Sequence, residues 1–298
     1  MPPNISVIIP TFNRPGPLRD CLSALARQTL PLGSFEIVVV DDGSPRPLEL
    51  DPAGWAQAFS LRVVRQENTG PAGARNRGVE AARGAIVAFT DDDCLPTPDW
   101  LEHLTAPLNE HPEALVGGTT FNGLKDNLYS ETSQLIIDMV YDHFNRGPEG
   151  VYFLASNNFA CRCEAYLTSD GFDTDFFVAS EDRDFCDRWR MCNRPLLWAP
   201  DALVEHRHAQ TLRKFVNLHY RYGRGAYLYQ VKRRERNSGT MQDELGFHRS
   251  IIRRTSRKLF GYSVLARISI AGLLIVWQIA NAVGFFRQAI TNTIRISG

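Results

Sequence analysis

Phe35-Glu-Ile-Val-Val-Val40 is an almost unbroken apolar, largely β-branched run that stops at Asp41-Asp42-Gly43-Ser44. Strands that are apolar on both faces belong to parallel sheets covered by helices on both sides. The segments around it continue that pattern. Ile5 to Ile9 is a short apolar run stopped by Pro10, after which Leu18, Cys21, Leu22 and Leu25 fall at helical spacing. Further strands are expected at Leu61 to Arg65 and Ala85 to Phe89, separated by a loop at Glu67 to Gly73 and a helix from Ala74 to Arg83. This order is that of a doubly wound, mostly parallel α/β sheet, in which ligands bind beyond the carboxyl ends of the strands.

The second half predicts helices at Trp100 to Asn109, Gln134 to Phe144 and Glu181 to Cys192, and strands at Ala114 to Gly118, Tyr152 to Arg162 and Leu196 to Glu205, the last interrupted by Pro200. Leu212 to Val231 reads as an amphipathic helix with Tyr220, Tyr222, Tyr227 and Tyr229 between its arginines. Ile268 to Phe286 is a run of 19 residues without a charge, bracketed by Arg267 and Arg287. At ~1.5 Å per residue it reaches about 28 Å, just short of a hydrocarbon core, and Gln278 and Asn281 weaken a spanning reading. A helix lying in a membrane interface and one packed on the domain or on a second copy both remain open. The expected division is a domain over residues 1–210, a basic helical segment over 211–260 and an apolar helix over 261–298.

At 298 residues and 44% hydrophobic, the chain can bury a sizeable core. Its formal net charge is zero, so whole-protein steering toward nucleic acid is not indicated. The charge is nonetheless uneven: thirteen Lys and Arg between Arg213 and Lys258 face only Glu235, Asp243 and Glu244. Six cysteines without metal-ligand spacing, behind an N-terminus unlike a signal peptide, suit a reduced cytoplasmic protein.

The chemistry gathers at the predicted strand ends. Phe89-Thr-Asp91-Asp92-Asp93-Cys-Leu-Pro96 delivers three consecutive carboxylates there. Such groups repel unless a cation sits between them, and hard cations are commonly shared between one or two carboxylates and substrate phosphates. A solvated acidic turn is the competing reading. Pro10-Thr-Phe-Asn13 and Asp41-Asp42-Gly43-Ser44 lie at equivalent ends, so three unusual sequences converge on one edge of the sheet.

Val7-Ile-Ile-Pro-Thr-Phe-Asn13, Val38-Val-Val-Asp-Asp-Gly-Ser44, Gly73-Ala-Arg-Asn-Arg-Gly78, Phe89 to Pro96, Gly171-Phe-Asp-Thr-Asp-Phe176 and Ser180-Glu-Asp-Arg-Asp-Phe185 together resemble the family 2 glycosyltransferases, in order and spacing, over about the first 205 residues. The resemblance implies the Rossmann-like GT-A fold, here with a C-terminal helical extension. It implies an inverting transferase of hexosyl or deoxyhexosyl groups that uses Mn²⁺ or Mg²⁺. The donor would be a nucleoside-diphosphate sugar of UDP or dTDP type, and the acceptor a glycan or a lipid-linked molecule. Pro10, Phe12 and Asp42 would surround the base, Asp41 would support their turn, and Asp91 would meet the ribose. Arg75 would face an anion at a helix start. Asp93 would hold the metal with His206, and Asp92 would point the other way if strand alternation persists. Asp182, beside Glu181, would deprotonate the acceptor, although both carboxylates would also suit a helix start. Asn157, Asn158 and Trp189 are candidates for the acceptor pocket. A basic, tyrosine-rich segment followed by an apolar helix suits work at the inner face of a cell membrane.

Two other readings stand beside this one. A sugar nucleotidyltransferase would open with a glycine-rich phosphate loop, and Pro10 to Gly16 supplies a single glycine. A non-catalytic, membrane-associated nucleotide-binding scaffold would have little need of both Asp93 and Asp182. A dinucleotide dehydrogenase is disfavoured because no G-x-G-x-x-G follows the first strand.

Overall fold

The computed structural model describes residues 3–31, 33–145, 150–240, 246–247 and 258–297. The chain runs β1 (Ile5–Thr11), α1 (Pro15–Leu25), β2 (Phe35–Asp42), β3 (Ser60–Gln66), α2 (Gly70–Ala81), β4 (Ile86–Thr90) and β5 (Cys94–Pro96). Next come α3 (Trp100–Thr105), α4 (Pro107–Glu110), β6 (Leu115–Asn122), α5 (Leu128–Phe144), β7 (Asn158–Arg162), α6 (Cys163–Leu167) and α7 (Glu181–Met191). β8 (Leu196–His206), α8 (Leu212–Arg236) and α9 (Val264–Ser297) complete it.

The eight strands form one sheet in the order β3-β2-β1-β4-β7-β6-β8-β5. β3, β2, β1 and β4 pair in parallel, as their two-sided apolar character requires. β7 then enters antiparallel between β4 and β6, and β5 pairs antiparallel with the end of β8. The sheet is therefore mixed, and its GT-A architecture carries a C-terminal helical extension. Every residue of β2 is buried.

Contacts divide the chain into two units. The first takes the described residues of Met1–Phe121, Val151–Phe177 and Glu181–Arg207. On one side of its sheet, Leu18, Leu22 and Leu25 of α1 join Val7, Ile9, Ile37, Val39 and Trp100 in an apolar core. A second cluster stacks Phe89, Phe159, Tyr166, Phe172, Phe185 and Trp189 with ring centroids 4.8–6.0 Å apart. Aromatic packing of this kind adds roughly 0.5–1.5 kcal/mol per pair beyond area burial.

The second unit takes the described residues of Asn122–Gly150, Val178–Ser180 and His208–Gly298. Leu135, Ile136 and Met139 of α5, Phe215 of α8 and Ile270, Leu273, Leu274 and Trp277 of α9 form its core. Helices α8 and α9 approach closely where glycines allow it. A Cβ on Gly223 would lie 1.9 Å from the Asn281 carbonyl oxygen, and one on Gly284 would lie 2.0 Å from that of Tyr220.

Several elements depart from their predicted bounds for identifiable reasons. α2 begins at Gly70 because Pro71 suits the first helical turn. α5 begins at Leu128 because the Asn127 side chain accepts from the Tyr129 and Ser130 N–H groups. The predicted Trp100 to Asn109 helix divides at Ala106, ahead of Pro107. β8 passes through Pro200 without a break. β5 pairs only with Val204, Glu205 and His206, so no bond is demanded of Pro200 on that edge.

Candidate active site

The acidic triplet leaves β4 at Thr90 and lies in a turn before β5. Because the strand has ended, side-chain alternation ends with it, and the expectation that Asp92 points away from its neighbours does not hold. One guanidinium gathers two of the three carboxylates: Arg14 Nη1 is 2.8 Å from Asp92 Oδ1 and Nη2 is 2.8 Å from Asp93 Oδ2. Thr11 at the end of β1 donates to Asp92 Oδ2 at 2.7 Å. Burial pushes the Asp92 carboxyl up to about 7, against the opposing pull of Arg14 and Thr11.

Asp93 is balanced differently. Its Oδ1 lies 3.3 Å from His206 Nε2, a pairing set by the β5–β8 ladder, in which Cys94 stands opposite His206. The Arg207 N–H also donates to the Asp93 carbonyl at 2.8 Å. Burial alone would raise this carboxyl. The hydrogen bonds and charges of His206 and Arg14 outweigh it and hold Asp93 well below the usual carboxylate range. His206 is raised in turn, because its bond to Asp93 overcomes the burial that works against its charge.

Ligand atoms of Asp93, Cys94 and His206 lie within 4.8 Å of one another. A carboxylate oxygen and an imidazole nitrogen suit Mn²⁺. The Cys94 thiol is fully buried and pushed well up by that burial, so it stays protonated and is a poor ligand for a hard ion. The donor set therefore fits a divalent ion through Asp93 and His206, on the side of the triplet that Arg14 now balances.

Asp91 faces the other way, into a second ion-pair system. Arg75 on α2 is 3% exposed, with Nη2 2.6 Å from Asp91 Oδ1 and Nη1 2.9 Å from Glu181 Oε1. Phe172 lies under the same guanidinium at 5.6 Å. Since α7 starts at Glu181, this clamp ties Asp91 of the triplet to the start of the helix that carries Glu181 and Asp182. Each terminal nitrogen of Arg75 is thus paired with a carboxylate, at the helix start that suggests an anion-facing position. Asp182 is half-buried, and its own Oδ1 accepts from the Arg183 N–H at 2.8 Å. That burial, and after it the adjacent Glu181 carboxylate, push Asp182 up to about 7.

Asp41 and Asp42 are both buried and engaged. Asp41 accepts from the Ser44 N–H at 3.0 Å and pairs with Arg65 at 3.2 Å, closing the β2 turn. Asp42 accepts from the Thr69 and Gly70 N–H groups, each at 2.9 Å, and from Gln66 at 2.8 Å. Gly70 has φ +81°, which presents its N–H to that carboxylate. Phe12 stands 46% exposed after β1, and Pro10 is partly exposed. The Asn13 N–H donates to Ser44 Oγ at 2.8 Å, which ties the loop after β1 to the turn after β2.

Two of the three acceptor-pocket candidates are buried. Asn158 is 1% exposed and accepts from Trp100 Nε1 at 2.8 Å while donating to the Ala202 and Thr119 carbonyls at 3.0 and 3.1 Å. It is a buried clasp between strands, with both amide hydrogens already donated. Trp189 is fully buried against Phe185. Asn157 remains beside the cleft, its amide 3.7 Å from Cys94 Sγ. Arg14 and Thr11, which the sequence reading did not single out, are the additional site residues.

A family model described as "Glycosyl transferase family 2" matches residues 6–168. The chain belongs to glycosyl transferase family 2. "Glycosyltransferase AglE" of Haloferax volcanii is 37% identical over 118 residues, 39% of each chain. "Pre-mycofactocin glycosyltransferase" of Mycobacterium tuberculosis is 31% identical over 214 residues, 70% of this chain and 45% of that protein. The chain thus spans less than half the length of these relatives. Among solved structures, "Mannosyltransferase PcManGT from Pyrobaculum calidifontis in complex with GDP-Man and Mn2+" aligns with a TM-score of 0.63 at 19% identity, over 98% of this chain and 88% of that one. S. aureus TarS 1-349 in complex with UDP-GlcNAc aligns with a TM-score of 0.53 at 21% identity, over 76% and 66%. At those identities the likeness speaks for the fold.

Proposed function

We propose that this family 2 protein is a glycosyltransferase that moves a hexosyl or deoxyhexosyl group, with inversion, from a nucleoside-diphosphate sugar to a hydroxyl of a glycan or lipid-linked acceptor. The observation that carries this reading is the Arg75 clamp, which joins Asp91 to Glu181 and so sets a nucleotide-facing carboxylate beside a candidate base. Pro10 and Phe12 form the wall for the base, on loops fastened by Asp41 and Asp42. Asp91, the least covered member of the triplet with a side chain 32% exposed, meets the ribose. Asp93 and His206 would hold Mn²⁺ or Mg²⁺, which neutralises charge on a diphosphate leaving group when bound. Asp182 takes the acceptor proton, for which a carboxyl raised to about 7 is well matched near neutral pH. Asn157 is the remaining acceptor-side candidate.

The donor type is UDP or dTDP, consistent with a relative in the fold that holds UDP-GlcNAc. All six cysteines are unpaired, which suits the cytoplasm. The test is transfer from a panel of nucleotide sugars, with the anomeric configuration of the product read by NMR. Inversion, loss of turnover in EDTA and loss of at least ~10³-fold in Asp182→Asn are expected. Retention of configuration, or unchanged turnover in EDTA, would remove the proposal.

A further inference from the structure

Helix α9 has two apolar faces, and among the described residues only one of them is covered. Ile270, Leu273, Leu274, Trp277 and Ala280 are buried within the second unit. On the opposite side Val264, Leu265, Ile268, Ile275, Ile279, Val283, Phe286 and Ile290 are 54–79% exposed. The helix of a soluble domain turns a polar face outward; this one turns a stripe of large side chains outward over about seven turns. The stripe is about 39 Å long at ~1.5 Å per residue, so length alone would permit a membrane crossing.

The covered face forbids that crossing. It packs on α8, to which it is held by the Gly223–Asn281 and Gly284–Tyr220 approaches and by Arg224 Nε donating to Gln288 at 2.9 Å. α8 carries Arg213, Lys214, Arg221, Arg224, Lys232, Arg233, Arg234 and Arg236 and cannot accompany α9 into hydrocarbon. Only the outward face can enter lipid. A helix advances about 100° per residue, so Arg267 and Arg287 flank the stripe on opposite sides, the positions from which arginines reach headgroups. Residues 211–298 hold sixteen Lys and Arg against three Asp and Glu. A second copy brought to this face would add like charge to like charge, whereas an anionic lipid surface complements it.

We propose that α9 is an in-plane anchor, lying along an anionic bilayer surface with the Ile268–Phe286 stripe in the headgroup and acyl boundary and its other face held by α5 and α8. The inference stands apart from the transfer chemistry, since no residue of the cleft takes part. The test uses the full chain with sealed phosphatidylcholine vesicles, with and without phosphatidylglycerol. Binding is expected only with the anionic lipid, weakened by raising salt from about 0.1 to about 0.5 M. Ile275→Glu with Ile279→Glu should lower partitioning at least about tenfold without changing circular dichroism, because both side chains are exposed. In a Cys192→Ser background, a membrane-impermeant maleimide added outside should label both Ser263→Cys and Asn292→Cys. Protection of one end would mean that the helix spans and would overturn the proposal. Equal binding to neutral vesicles would overturn it too, as would a dimer in free solution that the paired Glu substitutions abolish while wild type ignores vesicles.

Discussion

Replacing Arg75 with Met keeps the side chain's reach and removes its charge, leaving Asp91 and Glu181 facing one another without the guanidinium that now lies 2.6 and 2.9 Å from them. Breaking a buried ion pair from one side costs about 3–5 kcal/mol, because a charge is left without compensation. Asp91 is 32% exposed at its side chain and recovers some solvation, so the lower end, about 3 kcal/mol at pH 7, is expected. Urea unfolding with the slope held constant measures it directly. Adding Glu181→Gln to Arg75→Met should restore part of the loss, because one of the two facing carboxylates is then gone. Arg75→Lys should recover little, since an ammonium lacks the planar fork that meets two carboxylates at once. A loss below about 1 kcal/mol at pH 7 would show that these pairs behave like solvent-exposed ones and would refute the clamp.

Transfer activity should rise with pH through about 7, because Asp182 must lose its proton before it can accept one from the acceptor; a profile that stays flat from about pH 5 to about pH 8 would count against that role. His219 is buried among Phe215, Tyr222 and Trp277, and burial depresses it to about 3. The unfolded chain therefore binds a proton near pH 6.5 that the folded chain refuses. Stability should fall by up to about 1.4 kcal/mol per unit as pH drops below about 6.5, a slope that His219→Phe reduces. Asn158→Ala should cost about 3 kcal/mol by stranding one donor and two acceptors, yet leave the acceptor KM unchanged.

The apolar runs Ile5 to Ile9, Phe35 to Val40 and Ala85 to Phe89 made the parallel half of the sheet legible, because two-sided burial leaves an unbroken apolar signature. Antiparallel insertion of β7 between β4 and β6 leaves none, since strand order is decided by packing remote in sequence. The same limit explains Arg14: nothing local marks it as the partner of Asp92 and Asp93, which lie 78 and 79 positions away and meet it because β1 and β4 are neighbours. Asn158 shows the reverse failure, as a polar pair at Asn157-Asn158 reads alike whether its amides meet substrate or the carbonyls of adjoining strands. Asp92 was misjudged in direction because alternation was carried past the strand's last residue, Thr90. The carboxylates themselves were legible, since three in a row at a strand end need compensation from somewhere.

The central claim is that Asp93 binds a divalent ion with the nucleotide while Asp182 serves the acceptor, and titration of Mn²⁺ by electron paramagnetic resonance in the presence of UDP separates the two without any turnover. Asp182→Asn should bind the ion with UDP as wild type does, and Asp93→Asn should bind it at least about tenfold more weakly. Wild-type binding by Asp93→Asn would contradict the account.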